Sequence, residues 1–144
     1  MATRQTGDHA GTFHVELIKP SHYDDDGYVI QWRRGVLPSN SLACLWGLAA
    51  DAAERHVLGE DVSIEVAAYD ETNIVVPIKA IMAKIKRAGG KGLVCMAGVQ
   101  SNQFPRAVDL AQPFLKAGIP VAIGGFHVSG YLSEQYRFPR PLRT

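Results

Sequence analysis

Four short apolar runs alternate with three windows of helical periodicity along most of the chain, and this alternation restricts the possible folds more than any other feature. The runs are "TFHVELIKP", "VSIEVAAYD", "GLVCMAGV" and "IPVAIGG", each rich in β-branched or apolar residues and each closed by turn residues. Between them, apolar side chains recur at helical spacing. The sets are Leu42, Leu45, Trp46 and Ala49; Ile78, Ile81, Met82 and Ile85; and Ala107, Leu110, Ala111 and Phe114. The ends of the helices are marked as well. Asn40 or Ser41 is placed to cap the first, "RAGG" closes the second, and Pro105 suits the first turn of the third.

Strands joined through helices pair in parallel, and near-continuous apolar strands imply a sheet covered on both faces. The order βαβαβαβ therefore predicts an α/β domain with a doubly wound, mostly parallel sheet of about four strands, flavodoxin-like or Rossmann-like. A chain of 144 residues can bury a core of that kind. After Gly130 only "YLSEQYRFPRPLRT" follows, and a parallel crossover needs a dozen or more residues before its returning strand. The sheet is thus expected to stop before a fifth strand, and the chain to be a piece of a larger protein. The expected division is a flexible N-terminus over 1–12, the domain over 13–130, and a loose tail over 131–144 that carries Arg137, Pro139, Arg140, Pro141 and Arg143. A bare fourth strand predicts a two-fold homodimer in which the exposed sheet edge is covered by a second copy.

Fifteen Lys and Arg against 14 Asp and Glu leave a net charge of +1, which favours neither nucleic acid nor anionic lipid as a partner. The apolar runs are too short to span a membrane. "MATRQTGDHAGT" lacks an apolar signal core, so a cytoplasmic location is expected. Cys44 and Cys95 belong to no CxxC pair and read as buried thiols. There is no GxxxxGK[ST] or GxGxxG motif, and the third strand ends in "CMAGV", without the aspartate of a phosphoacceptor domain.

In open parallel sheets ligands bind beyond the carboxyl ends of the strands, where the strand order reverses. With the order 2-1-3-4, taken by analogy with that fold, the long segment "KPSHYDDDGYVIQWRRGVLPSN", "VQSNQF" and "GGFHVSG" line one rim. Gln100, Ser101, Asn102 and Gln103 supply neutral donors and acceptors there. Gly124 and Gly125 remove two Cβ atoms, allowing close approach of a ligand or positive φ. Phe126, His127 and Ser129 follow directly. His127 has no second histidine or carboxylate at ligand spacing and reads as a hydrogen-bonding group, so no metal ligand is assigned. Asp24 to Asp26 read as a solvated loop face.

From about Val15 to Gly130 the chain resembles the cobalamin-binding domain found ahead of the catalytic domain in many radical SAM enzymes. The resemblance lies in the long loop after the first strand, "YDETN" after the second, "GVQSNQFPRA" after the third and "IGGFHVSG" after the fourth. It implies a corrin ring over the rim. Gly124, Gly125 and Phe126 would admit the nucleotide tail, and Gln100, Ser101, Asn102 and Gln103, with the first loop, would contact the ring and its amides. His127 and Ser129 would complete the pocket. Domains that supply a lower-face histidine carry DxHxxG, whereas "KPSHYDDDG" has Pro20 two places before His22 and Asp25 three places after it, so base-off cobalamin without a histidine ligand is expected. A CxxxCxxC motif is also missing from the sequence. S-adenosylmethionine and a [4Fe-4S] cluster would then belong to a parent protein and not to this chain, which is expected to be non-catalytic by itself. The alternative expectation is an interaction module that keeps the fold with an empty crevice.

Overall fold

β-Branched and apolar residues hold Gly11–Lys19 extended as β1, Val62–Asp70 as β2, Gly92–Met96 as β3 and Val121–Ile123 as β4. The intervening periodic windows form α1 (Asn40–Glu54), α2 (Ile78–Arg87) and α3 (Phe104–Lys116), and a fourth helix, α4 (Phe126–Arg137), follows β4. The computed structural model describes residues 11–32 and 39–137. The expectations for 1–10 and 138–144, including Pro139, Arg140, Pro141 and Arg143, lie outside the described residues, as does the 33–38 part of the long loop.

All three strand pairings are parallel and the sheet order is β2-β1-β3-β4. The doubly wound α/β fold with a strand-order reversal between β1 and β3 is therefore present. Central β1 pairs Gly11 through Lys19 with Val62 through Asp70 on one side, and His14 through Ile18 with Gly92 through Met96 on the other.

Alternation along the strands separates two unequal faces. On the first, Ile18, Val94 and Met96 meet Ile81 and Ile85 of α2 and Ala107, Leu110, Ala111 and Phe114 of α3, all buried. Each such aliphatic or aromatic side chain contributes roughly 1.5–3 kcal/mol. This face also holds Glu16, which is 0 % exposed, with Lys84 Nζ 2.6 Å from its Oε1 and Tyr69 beside the pair. The second face is covered more thinly than expected. Helix α1 packs on β1 and β2 but buries none of its residues fully, leaving Leu45, Trp46 and Leu48 exposed, Leu48 by 67 %. Beyond it Leu93 and Cys95 are half-buried and Ala122 is exposed.

Three local expectations are corrected. Ser39, not Asn40 or Ser41, caps α1, its Oγ accepting from Leu42 N at 3.3 Å. Cys44, expected to be buried, is exposed on α1, which buries none of its residues fully, and Cys95, also expected to be buried, is half-buried. The segment after Gly130 does not begin as a loose tail. Helix α4 runs through it to Arg137, and Tyr131 and Leu132 join Val128, Ile123 and Phe104 around an apolar recess, which gives "YLSEQYR" a reason to stay helical. No helix among the described residues is long and apolar enough to cross a membrane.

Three half-buried titratable groups predict alkaline sensitivity. Burial pushes the Cys95 thiol up, and burial followed by the Glu16 charge does the same to the Tyr69 phenol. Burial opposes the charge on Lys84, but its hydrogen bond and attraction to Glu16 outweigh this and raise its pKa. Each group keeps its proton in the folded chain at a pH where the unfolded chain has released it, so stability falls as pH rises. Urea midpoints are expected to be level at neutral pH, to decline from near the ordinary thiol value of 9.0, and to fall more steeply past 10.0. Midpoints that rise over that interval would contradict this assignment.

Candidate functional site

The carboxyl ends of the four strands bring the sequence-predicted residues to one edge, but the structure divides them into inward and outward sets. The reversal between β1 and β3 is already bridged. Ala97 N donates to Ile18 O at 2.7 Å, and Gln103, only 9 % exposed, spends its side chain internally: Oε1 accepts from Gln100 N at 3.0 Å and Nε2 donates to Pro20 O at 2.9 Å. Gln103 thus closes the turn ahead of α3 and ties it to the first loop.

That loop is anchored by a charged network which sequence reasoning did not single out. Glu71, buried directly after β2, accepts from Ser21 N at 3.0 Å and from Arg106 Nε at 3.1 Å. Arg106 Nη1 also donates to Tyr23 Oη at 3.3 Å, and Tyr23 donates to Asp109. The Glu71 hydrogen bonds hold the Arg106 guanidinium pKa above its ordinary value, although burial opposes this. Burial and the Asp109 hydrogen bond raise the Tyr23 phenol. The only signal available in the sequence was an acid placed just after a strand and an arginine in the first turn of a helix. Farther along the loop, Asp24 Oδ1 accepts from Asp26 N at 3.1 Å and Tyr28 N at 2.7 Å, closing a turn across the Tyr23–Val29 bridge. Asp25 and Asp26 are exposed. Among the described residues no group of three or more His, Cys, Asp or Glu is placed to hold a metal ion.

The outward set lies on the β4 side. Gln100, Ser101 and Asn102, all exposed, join Phe126 around an open recess of about 520 Å3. Phe126 is 81 % exposed at the start of α4. His127 stands behind it with Nδ1 3.1 Å from Ser101 Oγ and its ring 4.4 Å from that of Phe104, tilted by 33°. Its backbone N donates to Val99 O at 3.2 Å. The imidazole therefore fixes the start of α4 against the β3–α3 segment. Ser129 is exposed on α4 and does not line the recess.

The two glycines have different environments. A Cβ on Gly124 would meet no heavy atom within 4 Å, so open space lies beside the backbone where β4 ends. Gly125 has φ +140°, and a Cβ there would lie 2.2 Å from Val99 N. Gly125 thus permits a tight backbone crossing, whereas Gly124 faces free space.

The outward set is neutral, mixing amide and hydroxyl groups with one exposed aromatic ring. It suits a broad, uncharged ligand with an apolar face and a fringe of hydrogen-bonding groups. Comparison of the chain with family models, curated proteins and solved structures found no match in any of the three.

Proposed function

We propose that the chain binds cobalamin, base-off, at the β4 side of the sheet's carboxyl edge. The observation that carries this reading is the recess in which exposed Phe126 stands among Gln100, Ser101 and Asn102, beside the open backbone of Gly124. A corrin has an extended apolar surface ringed by amide side chains. Phe126 would cover part of that surface, while Gln100, Ser101 and Asn102 would exchange hydrogen bonds with the amides. Gly124 would let the nucleotide tail pass close to the strand end. His127, held by Ser101 and Phe104, steadies Ser101 from behind the recess and stays outside the coordination of cobalt. When bound, the cofactor supplies methyl-group or electron-transfer chemistry. In a radical SAM parent, the cluster and S-adenosylmethionine would come from another part of the protein.

The test is incubation with hydroxocobalamin followed by gel filtration and an absorption spectrum. Cobalamin is expected to co-elute with the protein near one equivalent, and Phe126→Ala is expected to weaken retention about tenfold without altering the thermal transition. Co-elution unchanged in Phe126→Ala would remove this recess from the reading.

A second reading, an interaction module with an empty crevice, is favoured by one observation. Leu45, Trp46 and Leu48 are exposed on α1, and β4 pairs only with β3 among the described residues. A colourless protein that elutes as a dimer on the same column would support it.

A further inference from the structure

The opposite end of the sheet carries an unbalanced set of charges. Between Glu71 and Asp109 the sequence has no acidic residue, yet it holds Lys79, Lys84, Lys86, Arg87, Lys91 and Arg106. Three of these, Lys84, Arg87 and Lys91, converge on a recess of about 580 Å3 beside the first residues of β1, at the end of α2. Lys84 is balanced by Glu16. Arg87 and Lys91 form no salt bridge among the described residues. The acid on the recess wall is Glu65, on β2 and mostly exposed.

A second feature borders the same space. His14 is buried on β1 and lines the recess. Its Nδ1 lies 3.4 Å from Glu65 Oε2 but makes no hydrogen bond. The nitrogen is closed to solvent, so the Glu65 carboxylate is the group that faces it. The carboxyl end of α2 carries partial negative charge that a nearby cation satisfies; two cations without an acidic partner exceed that need.

We propose that this recess binds a phosphate-class anion. An arginine and a lysine bring charge-assisted donors to the oxyanion, the guanidinium as a planar fork and the ammonium as a point charge. The site shares no residue with the cobalamin reading and is independent of it.

The test is isothermal titration of the full chain, in low-salt buffer free of phosphate, with adenosine 5′-monophosphate, inorganic pyrophosphate and adenosine. Saturable binding near one equivalent is expected with at least one of the two anions, and none with adenosine. Tighter binding of the nucleotide identifies an organic phosphate as the better ligand; tighter binding of pyrophosphate identifies the free oxyanion. Arg87→Gln and Lys91→Gln, both at exposed positions, are each expected to weaken binding roughly tenfold or more with unchanged thermal transitions. Lys79→Gln, on the same helix but outside the recess, is expected to leave it unchanged. Absence of saturable binding, or an equal loss in Lys79→Gln, overturns the proposal in favour of diffuse surface charge.

Discussion

Gly125→Val is expected to abolish the cooperative unfolding transition, or to lower the urea midpoint so far that the folded state is barely populated at 25 °C. Its backbone has φ +140°, and a Cβ would lie 2.2 Å from Val99 N and 2.6 Å from Val99 O. A β-branched residue in such a conformation costs on the order of 1–3 kcal/mol before any clash. The clash is with backbone, so relief requires separating the end of β4 from the segment after β3, where Val99 N donates to Gly124 O at 3.0 Å. A domain of this size has about 5–15 kcal/mol of stability in total. Gly124→Ala is the contrasting variant. No neighbour opposes its Cβ, so its transition should stay near that of the parent, while cobalamin retention, if it uses this space, should fall. A Gly125→Val protein with a normal melting profile would show that the crossing is looser than described.

The second large effect is expected at Lys84→Met. Glu16 is 0 % exposed on the central strand, and Lys84 Nζ, 2.6 Å away, is the cation beside it. Breaking a buried pair by removing one partner costs about 3–5 kcal/mol, because the other is left charged or must take up a proton. The double variant Glu16→Leu with Lys84→Met is expected to recover most of that loss, since apolar replacement of a buried pair is often neutral or stabilising. The difference between single and double variants in urea unfolding measures the coupling. If Lys84→Met alone is nearly neutral, water reaches Glu16 readily.

Much of the architecture is legible in the sequence because strand and helix windows have different periods. Lys19 followed by Pro20 marks the end of β1, and the spacing of Ile78, Ile81, Met82 and Ile85 marks the inner side of α2. Several features are not legible, each for a physical reason. Gly124 and Gly125 are identical in sequence and opposite in role, because the difference depends on how closely Val99 approaches. Gln103 resembles its exposed neighbours Gln100 and Asn102, yet its side chain closes on Gln100 N and Pro20 O. The Glu71–Arg106–Tyr23 network joins three segments distant in sequence, and no local pattern specifies such a meeting. Pro139 and Pro141 restrict only the residues near them, so they do not mark where the helix after β4 lies, and α4 reaches Arg137 before them.

The sheet order also has a consequence for the sequence of events in folding. β1 is made first but lies between its two partners, pairing Gly11 with Val62 and His14 with Gly92. During synthesis it must wait for β2 to obtain one neighbour and for β3 to obtain the other. At roughly 5–20 residues per second that delay lasts seconds, far longer than helix formation or collapse. Throughout it, the apolar side chains of β1 and the carboxylate of Glu16 have no native surroundings, and Lys84 emerges only just before β3. The core can close only after most of the chain is made, so folding depends on distant contacts and is slow for a domain of this length. A nascent chain arrested before Gly92 is therefore expected to be cleaved readily by added protease, and one extended past Ile123 to acquire protection.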